Sequence, residues 1–190
     1  MISETRAPIQ ASAGQPIRID YEYRRHGATN IFMMIDPHRG WRNVDVTKRR
    51  TNVDFAHQMR RLVDQRYPDA DVIRVVLDNL STHPEASLYG TFEPAEARRI
   101  LRRIEFHFTP KHGSWLNMAE IEIGIMKGQC LARRIGDIPT LVDELEVWQR
   151  QRNVAGTKIN WLFDVAAARS KLKRRYPVPA TSSDEFDQAA

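Results

Sequence analysis

Hydrophobic positions in the first 50 residues fall in short alternating or continuous runs. Tyr21 to Arg24 alternates, Ile31-Phe32-Met33-Met34-Ile35 is continuous, and Arg42 to Thr47 alternates around Val44 and Val46, so three strands are predicted. His26-Gly27 and Asp36-Pro37-His38-Arg39-Gly40 read as hairpin turns between them. From residue 51 the spacing becomes helical. Thr51 or Asn52 caps a helix whose inner face is Ala56, Met59, Leu62 and Val63, and which stops before Pro68. Ile73 to Leu77 then predicts a fully buried strand. Pro94 opens a second helix, with Ala97, Ile100, Leu101 and Ile104 at helical spacing. A short strand follows, with Phe106 and Phe108 on one face and Glu105 and His107 on the other. Further helices are predicted from about Trp115 to Arg134, from Pro139 through Leu141, Leu145 and Trp148, and from about Asp164 to Arg175. Trp41, Trp115, Trp148 and Trp161 are expected as core anchors.

Three strands, then helix, strand, helix, strand, helix, is an α/β order suited to a mixed sheet flanked by helices. A length of 190 residues suits one domain with a substantial core. Residues 1–16 read as an extended lead-in, 17–176 as the domain, and 177–190 as a disordered tail with little to bury. A net charge of +5 suits a polyanionic partner without specifying one. Cys130 is the single cysteine, which excludes an intrachain disulfide and suits a reducing compartment. In a helical pattern beside Leu131 it reads as a small buried hydrophobe. Residues 1–20 carry Glu4, Arg6, Arg18 and Asp20 and no long apolar run, and no stretch reaches the ~20 apolar residues of a membrane span, so a cytoplasmic protein is expected.

The candidate chemistry lies in two segments. Val75-Val76-Leu77-Asp78-Asn79-Leu80-Ser81-Thr82-His83 carries an apolar strand into a carboxylate. Pro110-Lys111-His112-Gly113-Ser114-Trp115-Leu116-Asn117-Met118-Ala119-Glu120 brings a second carboxylate to a helix start. Carboxylates from a strand end and a helix start can hold a hard divalent cation such as Mg²⁺. Each has a purely structural rival. Asp78 could close an Asx-turn, and Asn117 with Glu120 matches a capping box, in which the glutamate reaches back to the cap amide. Glu122 points to a different helix face and is expected in solvent. His83 could position a phosphate or a water, or simply sit at the surface. Lys111, His112 and the run Lys48-Arg49-Arg50 are candidate DNA phosphate contacts. Arg98-Arg99 with Arg102-Arg103, Arg133-Arg134 and Lys171 to Arg175 could extend that path, or be solvated helix faces.

With Asp-Asn at a strand end and Leu-Asn-Met-Ala-Glu at a helix start, residues 2 to about 177 resemble the DDE catalytic domain of mariner-like bacterial insertion-sequence transposases. The resemblance implies an RNase-H-like mixed sheet flanked by helices and a triad of acids holding two Mg²⁺ ions, with Mn²⁺ able to substitute. It implies cleavage and strand transfer of double-stranded DNA at transposon ends and target, and a homodimer. Asp78 and Glu120 match the second and third acids, with Asn79, His83 and Asn117 in supporting positions. The first acid has no match. In the family it lies on the first, central strand, ahead of the segment that aligns with Ser3 to Ile9. The expectation is therefore a transposase domain lacking that strand and inactive as a lone chain. A non-catalytic DNA-binding or dimerising remnant is the alternative, and an ordinary α/β protein with structural Asp78 and Glu120 is another. Asp36 also follows an apolar run, but Pro37 and Gly40 make it a turn aspartate.

Overall fold

The computed structural model describes residues 1–78, 85–111, 113–161, 164, 167, 169 and 170. The chain divides into two units, residues 1–158 and 159–190. The described residues of the first unit form, in order, β1 (Ile2–Glu4), β2 (Tyr23–Arg25), β3 (Asn30–Asp36), β4 (Trp41–Thr47), α1 (Asn52–Arg61), β5 (Ile73–Leu77), α2 (Ala86–Tyr89), α3 (Pro94–Leu101), β6 (Ile104–Phe108), α4 (Ala119–Gln129) and α5 (Ile138–Val154). The α/β class stands. The strands, however, form three separate two-stranded ladders: β1–β2 and β3–β4 antiparallel, β5–β6 parallel.

The turn at residues 36–40 closes the β3–β4 hairpin. Gly40 has φ +66°, and a Cβ there would meet the Gly156 carbonyl oxygen at 2.6 Å, so only glycine fits. The turn at His26-Gly27 does not close a hairpin, because β2 pairs backwards with β1 through Ile2↔Arg25 to Glu4↔Tyr23. The lead-in thus includes a strand, and isolated bridges Ile9↔Arg18 and Ser12↔Gln15 continue its pairing.

Strand β3 lies between two apolar clusters. Phe32 and Met34 pack against one, built from Phe55, Ala56, Met59, Leu62, Val63, Leu77, Leu88, Ala97, Ile100 and Ile104. Ile31 and Met33 pack against the other, built from Val44, Met126, Cys130, Ile135, Leu141, Leu145 and Trp148. The alternation of a strand thus serves helices on both faces. Helix α1 begins with a capping box between Thr51 and Asp54 and runs into a π-helical turn at Leu62–Arg66. Asp137 caps α5 by accepting the Thr140 N–H at 2.8 Å, and Leu141, Leu145 and Trp148 are buried as expected.

Strand β5 is not fully buried. Ile73, Val75 and Leu77 face the first cluster, while Arg74 and Val76 are exposed. On the surface Arg74 of β5 pairs with Glu105 of β6, and His107 Nε2 lies 2.8 Å from the same carboxylate. Ile104, expected in the α3 pattern, opens β6 instead. Of the four tryptophans, Trp148 is buried, and Trp41, Trp115 and Trp161 are half-buried.

The outer edge of β4 meets α5. The Asn153 amide accepts the Arg42 backbone N–H (2.9 Å) and donates to the Arg42 carbonyl (2.8 Å), copying a neighbouring strand, and Gln149 accepts the Val44 N–H. These bonds satisfy backbone groups that an edge strand leaves open. In the second unit, Asp164 Oδ1 accepts the Ala167 N–H at 2.7 Å, as an N-cap does at a helix start. Residues 177–190, expected as a disordered tail, lie outside the described residues.

Candidate functional site

Asp78 directly follows β5 and is half-buried. The Thr109 N–H donates to the Leu77 carbonyl at 2.9 Å, so parallel pairing extends past the end of β6 and sets the direction in which Asp78 leaves the sheet. Beyond Thr109 the chain turns at Pro110–Gly113, where the Gly113 N–H donates to the Pro110 carbonyl at 2.7 Å. A Cβ at Gly113 would lie 2.9 Å from that same oxygen, so the turn requires glycine. A 3-10 turn at Ser114–Leu116 then delivers the chain to α4. Both acids therefore lie on chain leaving the carboxyl edge of one parallel pair, the side on which α/β sheets gather their sites.

Glu120 is exposed in the first turn of α4. The capping box does not form. Met118 occupies the cap position, Asn117 Oδ1 accepts the Ala119 N–H at 3.1 Å, and the Asn117 N–H is taken by the Ser114 carbonyl at 2.8 Å. Among the described residues the Glu120 carboxylate makes no hydrogen bond or ion pair, so its oxygens remain available. Two carboxylates are hard oxygen donors and fit a divalent cation. Among the described residues no group of three His, Cys, Asp or Glu could hold a metal ion, so a complete two-ion donor set is not formed by them. Asn79, His83 and His112 lie outside the described residues.

Glu122 corrects the expectation of a solvated side chain. It is fully buried, with Oε1 2.9 Å from Arg42 Nε and 2.5 Å from Arg152 Nε, and Oε2 3.1 Å from Arg152 Nη2. The Arg42 Nε contact is an ion pair without hydrogen-bond geometry; Arg42 Nη1 and Nη2 donate to the Gly40 and Thr157 carbonyls at 3.1 and 2.7 Å. Burial pulls the Arg42 guanidinium below its ordinary pKa while the Glu122 charge opposes that shift. Spacing marked Glu122 as off the Glu120 face, but which face meets the core depends on β4 and α5, 80 residues before it and 30 after it.

The basic runs separate once their partners are known. Arg99 is bound by Asp64 and Glu96. Arg103 donates to the carbonyls of Tyr67, Pro68 and Ala70 behind α1, Arg133 pairs with Glu144, and Arg134 pairs with Glu4 and the Asp20 and Glu22 carbonyls. In these four the guanidinium is engaged by other groups of the chain. Lys48, Arg49 and Arg50, between β4 and α1, are exposed, as are Lys111, Arg98 and Arg102.

Asp36 is a turn residue. Its Oδ1 accepts the N–H groups of His38 and Arg39 at 3.0 Å each, and its Oδ2 accepts the Tyr67 hydroxyl at 2.9 Å. Burial works to raise the Asp36 pKa, but these three donors together hold it below the ordinary carboxylate value. Burial and the Asp36 bond push Tyr67 up to about 12. Cys130 is buried, and its thiol pKa is raised by that burial, as for an inert packing residue. Surface hollows of about 420 and 380 Å³ are lined by residues such as Tyr23 with Arg25 and Trp41 with Arg66, and neither borders Asp78 or Glu120.

A family model described as DDE superfamily endonuclease matches residues 2–142. No curated protein and no solved structure matches the chain. Among the described residues no helix is long and apolar enough to cross a membrane.

Proposed function

The chain belongs to the DDE superfamily endonucleases, and on that premise we propose that it is the catalytic domain of a mariner-like insertion-sequence transposase. In this reading Asp78 and Glu120 hold a divalent cation, Mg²⁺ with Mn²⁺ able to substitute. The observation that carries it is Glu120, a helix-start carboxylate left out of the cap, on chain leaving the same strand pair that ends at Asp78. When bound, such a cation activates water and neutralises charge on the phosphodiester. The protein's own part is placement: the β5–β6 ladder aims Asp78, α4 aims Glu120, and Lys48, Arg49, Arg50 and Lys111 screen the DNA phosphates. Transposon ends and target DNA are the substrates, a second copy of the chain is the partner, and the cytoplasm is the compartment.

The ladders β3–β4 and β5–β6 read as the outer parts of an RNase-H-like sheet whose first central strand would lie between β3 and β5 and bring the first acid. A second reading rests on that acid. With Asp78 and Glu120 alone, this chain by itself binds duplex DNA without cutting it, as a DNA-binding or dimerising remnant would.

Three measurements test both readings. Titration with Mn²⁺, followed by electron paramagnetic resonance, should show one weak site that Asp78→Asn or Glu120→Gln removes. The 190-residue chain should leave supercoiled plasmid intact. Duplex affinity should fall steeply with salt, through counterion release. Mn²⁺ binding indifferent to both substitutions would remove the metal site; affinity indifferent to salt would remove the DNA claim.

A further inference from the structure

We infer that Glu122, with Arg42 and Arg152, is a rotational lock that sets the direction in which Glu120 points. The inference rests on the reading of Glu120 as a metal ligand. A helix turns about 100° per residue, so Glu120 and Glu122 lie about 200° apart on α4. Glu122 facing fully inward therefore turns Glu120 outward, as observed.

Most helices fix their rotation with one apolar stripe. Helix α4 carries two. Ala119, Ile123, Met126 and Cys130 form one, and Met118, Ile121 and Ile125 form the other, on either side of Glu122. Burial of either stripe would roll the helix by roughly 70° in opposite senses. Neither is fully buried: Ile121 is 40% exposed and Ile123 39%, while Met126 is 4% exposed. The helix holds the intermediate rotation in which a charge, Glu122, is the most deeply buried residue, with Met126 and Cys130 buried beside it. Glu122 binds Arg42 on β4 and Arg152 on α5, so both walls of the groove grip it. At the helix start the cap residue Met118 contributes no side-chain bond, and Asn117 Oδ1 accepts the Ala119 N–H. A buried ion triad is often no more stabilising than apolar residues of similar volume. What it supplies here is a single orientation, as buried polar residues do when they fix helix register. Glu122 is thus a positioning residue acting through Glu120, and Arg42 and Arg152 act through Glu122.

The test replaces all three charges together (Glu122→Leu, Arg42→Met, Arg152→Met), so that none is left buried alone. It has two readouts besides activity. One is the reactivity of a cysteine placed at Ile121 or Ile123, each examined with Cys130→Ala in parent and triple variant. The other is Mn²⁺ affinity by paramagnetic resonance. Both are measured on protein shown folded by circular dichroism and a cooperative melt. In the triple variant one of the two introduced thiols should lose reactivity by tenfold or more, and Mn²⁺ affinity should fall about tenfold. Arg152→Lys, which keeps the charge but loses the two-nitrogen grip, should give a smaller change in the same direction. Unchanged thiol reactivity and Mn²⁺ affinity in the folded triple variant would overturn the lock, whatever happens to the melting temperature; so would a triple variant that fails to fold while Arg152→Lys leaves both readouts at parent values. Parent Mn²⁺ binding that survives Asp78→Asn would instead overturn the metal reading beneath it, and with it the positioning role of Glu122, while the thiol readout still reports whether the helix rolls.

Discussion

Arg99 between Asp64 and Glu96, and Glu122 between Arg42 and Arg152, are ionic triads of equal size and opposite sign. The first has the better geometry, with Arg99 bonding both carboxylates through two nitrogens each at 2.7 to 3.0 Å. Its side chains are 33 to 44% exposed, whereas those of the second are 0 to 14% exposed. Water already solvates the Arg99 triad, so forming it gains little. Around Glu122 water is excluded, so each guanidinium depends on the carboxylate between them, and Arg42 also on the Gly40 and Thr157 carbonyls. Burial, more than hydrogen-bond count, decides which triad shapes the molecule.

The largest effect should come from breaking the inner triad at one point. Glu122→Leu alone leaves two cationic side chains in the core and should cost about 3–5 kcal/mol in chemical denaturation. A loss near that of a surface pair would show that water reaches the site and that the contrast is false. The β4 edge should rank next. Asn153→Leu removes both bonds to the Arg42 backbone and should cost about 1–3 kcal/mol, since a buried N–H and a carbonyl lose their partner. Arg99→Ala should then cost under about 1 kcal/mol, and the loss should shrink further in 1 M salt. Salt should leave the Glu122→Leu penalty nearly unchanged.

A pH measurement probes a group between these extremes. The Asp36 pKa is lowered in the folded chain, so its contribution is complete above the unfolded value of about 3.9 and is lost as pH falls through the folded value. Asp36→Asn should therefore lower stability at neutral pH and flatten the acid limb below about pH 4. An unchanged acid limb would mean that the hairpin donors do not favour the charged carboxylate.

Much of the α/β plan could be read along the chain because its signals are local. Thr51, one of two cap candidates, and Pro139 mark helix starts locally, and the bonds there to Asp54 and from Thr140 to Asp137 stay within one turn. The alternation of β4 and β6 needs only one buried face to be recognised. Asp78 at a strand end and Glu120 at a helix start were legible for the same reason, as was the turn role of Asp36. What could not be read depends on distant partners. The β3–β4, β5–β6 and β1–β2 pairings involve choices among strands that look alike singly, and the exposed face of β5 follows from what lies over it. Whether Glu120 closes a cap turned on a backbone bond that Asn117 gave to Ser114 instead. Arg99 and Arg103 read as parts of one basic run, yet Asp64, Glu96 and the Tyr67–Ala70 carbonyls determine their roles. Glu122 is the clearest case. Its sequence neighbours place it opposite Glu120 on a helix, but only β4 and α5, meeting across the chain, make that side the inside and supply the two cations that let a carboxylate remain there.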